Sequence, residues 1–80
     1  MEKLSNYLAK IIGLKIAYYR KLKGYTQLQL AQKINISLSY LSKIECGCLT
    51  KCVSLPVLMM ISKELNVPIS QLICENIENN

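Results

Sequence analysis

Four cysteines are the residues of this sequence whose type could support metal or redox chemistry. Cys46, Cys48 and Cys52 follow one another with the spacing C-x-C-x3-C, and Cys74 lies far along the chain. Four thiolates can hold Zn²⁺, but structural zinc sites usually take their ligands from C-x2-C pairs, which are missing here. We therefore expect reduced cysteines in a cytoplasmic chain, where stable disulfides are rare. A zinc or iron–sulfur site and a thiol redox switch remain as alternatives.

Catalytic side chains are scarce in this sequence. The chain has no histidine, which is the commonest general base and metal ligand. It also has no paired carboxylates and no glycine-rich loop of the kind that holds phosphate groups. The sequence therefore predicts a protein that is not an enzyme and that needs no cofactor.

Positive charge is concentrated in the first part of the chain. Residues 1–51 contain nine lysines and arginines against Glu2 and Glu45, whereas residues 52–80 contain Lys63 against three glutamates. A basic first part and a mildly acidic end favour a surface on the first part that binds a polyanion. An ordinary protein with surface lysines is the alternative that charge alone leaves open.

Length and hydropathy limit the architecture. Eighty residues form one domain of modest size. No apolar run approaches the ~20 residues that span a membrane, and the N-terminus lacks the basic and then apolar segments of a secretory signal. We therefore expect a single domain in the cytoplasm.

Apolar periodicity predicts an all-α chain of five helices. Leu8, Ile12, Ile16 and Tyr19 recur at spacings of four and three, which places them on one face of a first helix from about residue 4 or 5 to residue 23. Gly24 ends that helix, as glycine commonly does. No alternating pattern of useful length indicates a strand.

Two short helices follow, with few residues between them. Thr26 and Gln29 have the spacing of a capping box at the start of the second helix. Ile36 is apolar inside the turn, and Ser37 is a plausible N-cap of the third helix, which Gly47 ends. Helices joined this tightly can cross at a large angle, so that the third helix of the chain projects from the body of the domain.

The rest of the chain predicts two further helices. Ser54 can cap a fourth helix with Pro56 in its first turn. Residues 66–68 break that helix, and residues 69–73 form a short fifth helix. The end of the chain is polar.

The second and third helices carry a specific pattern. Gly24-Tyr-Thr-Gln-x-x-Leu-Ala31, Ile36-Ser37 and Tyr40-Leu-Ser-Lys-Ile-Glu-x-Gly47 resemble the helix-turn-helix of the Cro/C1 group, also called the XRE family, which includes the lambda-type phage repressors. The resemblance runs from about residue 12 to residue 73. It implies a compact five-helix domain that binds double-stranded DNA operators as a homodimer, and many members repress transcription. We expect one such domain over residues 1–75, with the helix-turn-helix at about 26–46, and a polar tail over 76–80.

A lone acid, Glu45, lies where the apolar pattern predicts a buried face. A buried carboxylate needs a cation, and an arginine guanidinium offers a planar, two-pronged match. The resemblance implies the partner, because in phage members an arginine late in the first helix pairs with this glutamate, and Arg20 occupies that position here. We expect a structural ion pair; a solvated Glu45 at the helix end is the alternative.

The resemblance also implies which residues meet DNA. Leu38, Ser39, Ser42 and Lys43 match the positions that face base edges. Leucine can only pack on a thymine methyl group and serine discriminates weakly, whereas Lys43 can read guanine or contact a phosphate. We therefore expect few strong base contacts and some dependence on DNA shape. Contacts to the DNA backbone are expected from Gln27, Lys15, Lys33, Tyr40, Cys46 and Lys51.

Leucines outside the expected core favour a second kind of protein, an antitoxin or adaptor that uses the same fold to bind a protein partner. The leucines concerned are Leu28, Leu38 and Leu49. Binding to phosphates weakens steeply as salt rises, whereas an apolar contact does not, so salt dependence distinguishes the two kinds. Contacts within a homodimer are expected from the end of the chain, at Val57, Met60, Val67, Ile69 and Ile73.

Overall fold

The computed structural model describes residues 2–48 and 53–73 of the chain, and these residues form five helices and no strand. The all-α, five-helix fold is therefore confirmed. The first helix begins two or three residues earlier than predicted and ends one residue earlier. The helices are α1 (Glu2–Leu22), α2 (Gln27–Ile34), α3 (Leu38–Cys46), α4 (Leu55–Leu65) and α5 (Ile69–Ile73).

The hydrophobic core receives a fully buried side chain from every helix. These side chains are Ile16, Leu30, Leu41, Ile61 and Leu72, in chain order from α1 to α5. α1 packs against α3, α4 and α5, and α2 packs against α3 and α4. The core therefore lies where all five helices meet, and α1 packs behind α3, the helix that follows the short turn after α2.

The connection from α2 to α3 is fixed by local hydrogen bonds. The predicted capping box at Thr26 is present: its Oγ1 accepts from the Gln29 backbone N–H at 3.0 Å, and its own N–H donates to Gln29 Oε1 at 2.8 Å. Asn35 ends α2 in the left-handed conformation, with φ 62°. The next residue, Ile36, packs against the core as predicted. Ser37 Oγ then accepts from the Tyr40 backbone N–H at 3.0 Å and caps α3.

The start of α4 differs from the prediction in one respect. Ser54 occupies the N-cap position, but its side chain makes no capping hydrogen bond. Pro56 lies in the first turn, where its missing N–H leaves no donor unsatisfied. α4 ends at Asn66, which is left-handed with φ 58°. Within the described part of the chain, no helix combines the length and the apolar character needed to cross a bilayer.

Candidate nucleic-acid interface

One side of α3 faces solvent and the other side faces the core. Leu41 and Ile44 are buried. The four residues that the sequence analysis assigned to base edges are all exposed, and Leu38 among them is 44% exposed; they are Leu38, Ser39, Ser42 and Lys43. The exposed side thus presents two hydroxyl groups, one ammonium group and one apolar side chain, and none of these carries negative charge.

The inner side of α3 is attached to α1 by an ion pair. Arg20 Nε donates to Glu45 Oε2 at 2.7 Å, and Arg20 Nη2 donates to Glu45 Oε1 at 3.0 Å. The two side chains are only 9% and 6% exposed. The structure thus brings together the two residues expected to pair, in a two-pronged geometry that fixes direction as well as distance.

Two further residues join this ion pair. Gln27 Nε2 donates to Glu45 Oε1 at 2.9 Å, and Arg20 Nη1 donates to the Tyr25 carbonyl oxygen at 2.7 Å. The network therefore connects α1, the segment before α2, the first residue of α2 and α3. Gln27, expected at the DNA backbone, has its amide nitrogen engaged by Glu45, which fixes the direction of its side chain.

A close contact at Gly13 limits the distance between α1 and α3, and this contact was not predicted from the sequence pattern. At Gly13, in the middle of α1, a Cβ atom would lie 2.6 Å from the Glu45 carbonyl oxygen and would also meet the carbonyl oxygen of Ile44. The sequence does contain a signal of this contact. An isolated glycine inside a helix costs about 1 kcal/mol relative to alanine and often marks a close approach by another part of the chain.

Tyr25 is a second residue that the sequence analysis did not single out. Its hydroxyl donates to Glu64 Oε2 at 2.8 Å, which connects the start of the helix-turn-helix to α4. This hydrogen bond, together with partial burial and the negative charge of Glu64, raises the pKa of Tyr25 above its ordinary value. The Lys33 ammonium lies 5.7 Å from the Tyr25 ring centroid, within cation–π range.

The other residues expected at the DNA backbone divide into three groups. Lys33 and Cys46 are exposed, and Tyr40 is half-buried against the core. Lys15 is only 7% exposed, so the isolated fold offers little of its side chain for a phosphate contact, which charge alone did not indicate. Lys51 lies outside the described residues.

The Sγ atoms of Cys46 and Cys48 lie at bonding distance, as in a disulfide, which differs from the expectation of reduced thiols for this pair. Gly47 lies between them in the left-handed conformation, with φ 71°, and the two Cα atoms are 5.4 Å apart. That separation is normal for a disulfide. The expectation rested on the compartment and took no account of this turn. Cys52 and Cys74 lie outside the described residues, so the structure does not test the alternative of a metal or redox site formed by all four cysteines.

Only some of the apolar residues expected to bind partners are exposed on the surface. Leu28 and Leu38 are exposed, and Leu49 lies outside the described residues. Of the five side chains expected in a homodimer contact, three pack against the monomer's own core, namely Val57, Val67 and Ile69. Met60 and Ile73 are exposed. Part of the apolar surface at the end of the chain is therefore used within the monomer.

Comparisons with known proteins agree with this geometry. The family model HTH_3, described as helix-turn-helix, matches residues 16–72. The HTH-type transcriptional regulator SlrR of Bacillus subtilis (strain 168) is 45% identical over 62 residues, which are 78% of this chain and 40% of SlrR. The HTH-type transcriptional regulator SinR of the same strain is 40% identical over 68 residues, which are 85% of this chain and 60% of SinR. The chain thus spans 40% to 60% of the length of these curated relatives.

Solved structures of SinR are similar to this fold as well. A complex of SinR with SinI matches with a TM-score of 0.78 at 40% identity, over 84% of this chain and 64% of that chain. SinR in complex with DNA matches with a TM-score of 0.71 at 41% identity, over 76% of this chain and 95% of that chain. The family match includes the capped turn, the exposed side of α3 and the Arg20–Glu45 pair. The chain therefore belongs to the helix-turn-helix family, in the Cro/C1-type group that its sequence resembles.

Proposed function

We propose that this chain is a sequence-specific DNA-binding regulator of transcription that represses by occupying a palindromic operator as a homodimer. α3 enters the major groove with Leu38, Ser39, Ser42 and Lys43 toward the base edges. Lys43 supplies the strongest hydrogen-bonding group of the four, and Leu38 packs on a thymine methyl group. Residues 1–75 act as one domain, with the polar tail following.

One observation carries this proposal: the exposed side of α3 carries two hydroxyl groups, one ammonium group and no negative charge, while its inner side is held by the Arg20–Glu45 pair. A helix that must fit a groove benefits from a fixed orientation, because each side chain ordered on binding lowers the affinity. The Gln27 hydrogen bond extends the same restraint to the start of α2.

Contacts to phosphates would position the domain on the duplex without reading sequence. We assign them to Lys33, Gln27, Tyr40 and the backbone amides at the starts of α2 and α3, where the helix dipole favours an anion. Lys51 and Cys46 remain candidates. Lys15 is left out because it is buried.

The relatives support the same function. SinR and SlrR are transcription regulators, and SinR has been solved in complex with DNA. Because this chain covers only part of those proteins, DNA binding, dimerisation and repression are proposals for this chain. We also propose that the chain is not an enzyme, and that it acts in the cytoplasm, where the sequence analysis expected it.

Selection of bound sequences from random duplex DNA at physiological salt tests the proposal. We expect a palindromic consensus whose half-sites are separated by about one helical turn. Lys43→Ala should relax one base position by ~1–3 kcal/mol, whereas Lys33→Ala should weaken all sequences alike. Lys33 is the matched control because it is also an exposed lysine but lies on α2. No enrichment of any duplex, even at low salt, would contradict the proposal.

The second candidate function is protein binding, as in an antitoxin or adaptor. Leu28 and Leu38 are exposed apolar side chains on the helix-turn-helix, and SinR has been solved in complex with the SinI protein. Binding at these leucines would keep most of its strength as salt rises, whereas phosphate binding falls steeply. A titration of the enriched duplex across salt concentrations therefore separates the two functions.

A further inference from the structure

The outer side of α1 carries a row of exposed apolar side chains that the DNA-binding proposal does not use. Tyr7, Leu14, Tyr18 and Leu22 are each between 49% and 66% exposed. Their spacings of seven, four and four place them on one side of the helix. The row extends for roughly 22 Å at 1.5 Å per residue. A single exposed apolar residue is ordinary, but an aligned row of four marks a binding surface. We call these four residues the outer row.

The middle of the outer row borders an open groove. Tyr18 packs edge-on against Tyr19, with ring centroids 5.0 Å apart and an interplanar angle of 78°. Tyr19 in turn packs against the hydrophobic core, so the position of Tyr18 is fixed from behind. An open groove of about 550 Å³ lies along this stretch, and its lining includes Leu14, Tyr18 and the small side chain of Ala17. An aromatic side chain held in place beside such a groove is typical of binding hot spots.

The groove has positive charge beside it. Lys10 and Lys21 are exposed, and they lie next to the outer row, at three residues from Tyr7 and Tyr18 respectively. Over residues 6–22 of α1, whose side chains the structure describes, the sequence contains no glutamate or aspartate. The surface therefore combines apolar anchors with positive charge on one flank. It complements an occupant that is apolar and acidic, and it opposes a second copy of the same surface, because lysines would then face lysines.

The outer row is also accessible when α3 is bound to DNA, as proposed above. Gly13 marks the side of α1 that touches α3. Tyr18 lies about 140° around the helix from Gly13 at 100° per residue. A molecule bound to the outer row would therefore approach α1 from a side turned away from α3.

We propose that the outer row of α1 is a docking surface for an acidic amphipathic helix of a partner protein. Leucines or other large apolar residues at i, i+3 or i+4, and i+7 of the partner would fill the groove and cover Leu14 and Tyr18. Carboxylates beside those anchors would pair with Lys10 and Lys21. This surface does not depend on the DNA-binding proposal, since none of its residues lies on the exposed side of α3.

Selection from a displayed peptide library tests this on the full chain. The peptides have ~four helical turns, with leucines fixed at spacings of three and four, and with Glu, Lys, Ala and Gln varied elsewhere. We expect the enriched peptides to be acidic beside their leucines. On a Lys10→Glu, Lys21→Glu variant, the preference should reverse to basic peptides. Enrichment without charge preference, or the same acidic peptides on the reversed variant, would overturn the proposal.

Affinity measurements on one enriched peptide locate the site. Tyr18→Ala should weaken binding by about tenfold or more. Met59→Ala is the matched control, because Met59 is an exposed apolar residue on α4, and it should leave the affinity unchanged. Equal effects of the two substitutions would overturn the proposal. So would a Tyr18→Ala chain that loses self-association in sedimentation, or one that loses binding to anionic vesicles, because the surface would then belong to a second copy or to a membrane.

Discussion

Separating Arg20 from Glu45 should strongly destabilise the fold, and the structure allows the magnitude to be worked out. Both side chains are more than nine-tenths buried. Glu45→Leu removes the acceptor of three hydrogen bonds and leaves the guanidinium charge uncompensated. Breaking a buried pair from one side costs about 3–5 kcal/mol. Arg20→Met leaves the carboxylate in the same position and should cost a similar amount. Either loss is a large share of the roughly 5–15 kcal/mol that stabilises a typical domain.

The double variant Arg20→Met, Glu45→Leu should be more stable than either single variant. It contains no stranded charge, and its remaining losses are the hydrogen bonds from Gln27 and to the Tyr25 carbonyl oxygen. Because such groups cost ~1–3 kcal/mol when left unsatisfied, and Gln27 is half-buried and can reach water, we expect a total of about 1–3 kcal/mol. The two single losses should therefore be far from additive.

Urea unfolding followed by circular dichroism measures these free energies, provided that the slope with urea is the same for all variants. Lys43→Met on the exposed side of α3 is a control and should change stability by less than about 0.5 kcal/mol. A solvated surface pair would behave differently: each single variant would lose less than ~1 kcal/mol of unfolding free energy, and the two losses would add in the double variant. That result would refute the reasoning from burial.

Three further predictions concern single side chains. Gly13→Ala should destabilise by about 1–3 kcal/mol in urea unfolding, because the clash with the α3 backbone outweighs the ~1 kcal/mol that alanine adds to a helix; a more stable variant would contradict the close contact. Thr26→Ala should cost ~1 kcal/mol through the lost capping box, and Thr26→Ser should restore most of it. The pKa of Tyr25 is raised in the folded state, so the stabilisation from its bond to Glu64 is complete below the ordinary tyrosine pKa and is lost as pH rises through the raised value. The stability difference between the native chain and Tyr25→Phe should therefore shrink above about pH 10, and a constant difference in melting temperature would contradict this.

Local features of the structure were predictable from sequence because they depend on neighbouring residues. The capping box at Thr26, the N-cap at Ser37 and the glycine at the end of α3 each follow from side chains within three or four positions. At Ser54 the same reasoning failed in detail, because a suitable residue occupied the N-cap without making the hydrogen bond. The residue type therefore predicts where a helix begins, but it does not predict that the side chain makes the capping hydrogen bond.

Features that depend on distant parts of the chain were harder to predict. The burial of Lys15 arises from packing around α1, which charge and spacing do not report. The contact of Gly13 with α3 joins residues about thirty positions apart, and only the cost of a glycine inside a helix hints at it. The Arg20–Glu45 contact spans a similar distance, and its expectation came from the family resemblance more than from charge.

Every helix contributes at least one fully buried side chain to the core. α2, α3, α4 and α5 have between 5 and 11 residues, and isolated helices shorter than about 12–15 residues are marginal in water. α3 therefore exists as a helix only while the whole core is assembled. Amide hydrogen exchange in α3 should then follow global unfolding. A partly denatured sample should contain fully folded and fully unfolded molecules, rather than folded molecules that have lost only α3.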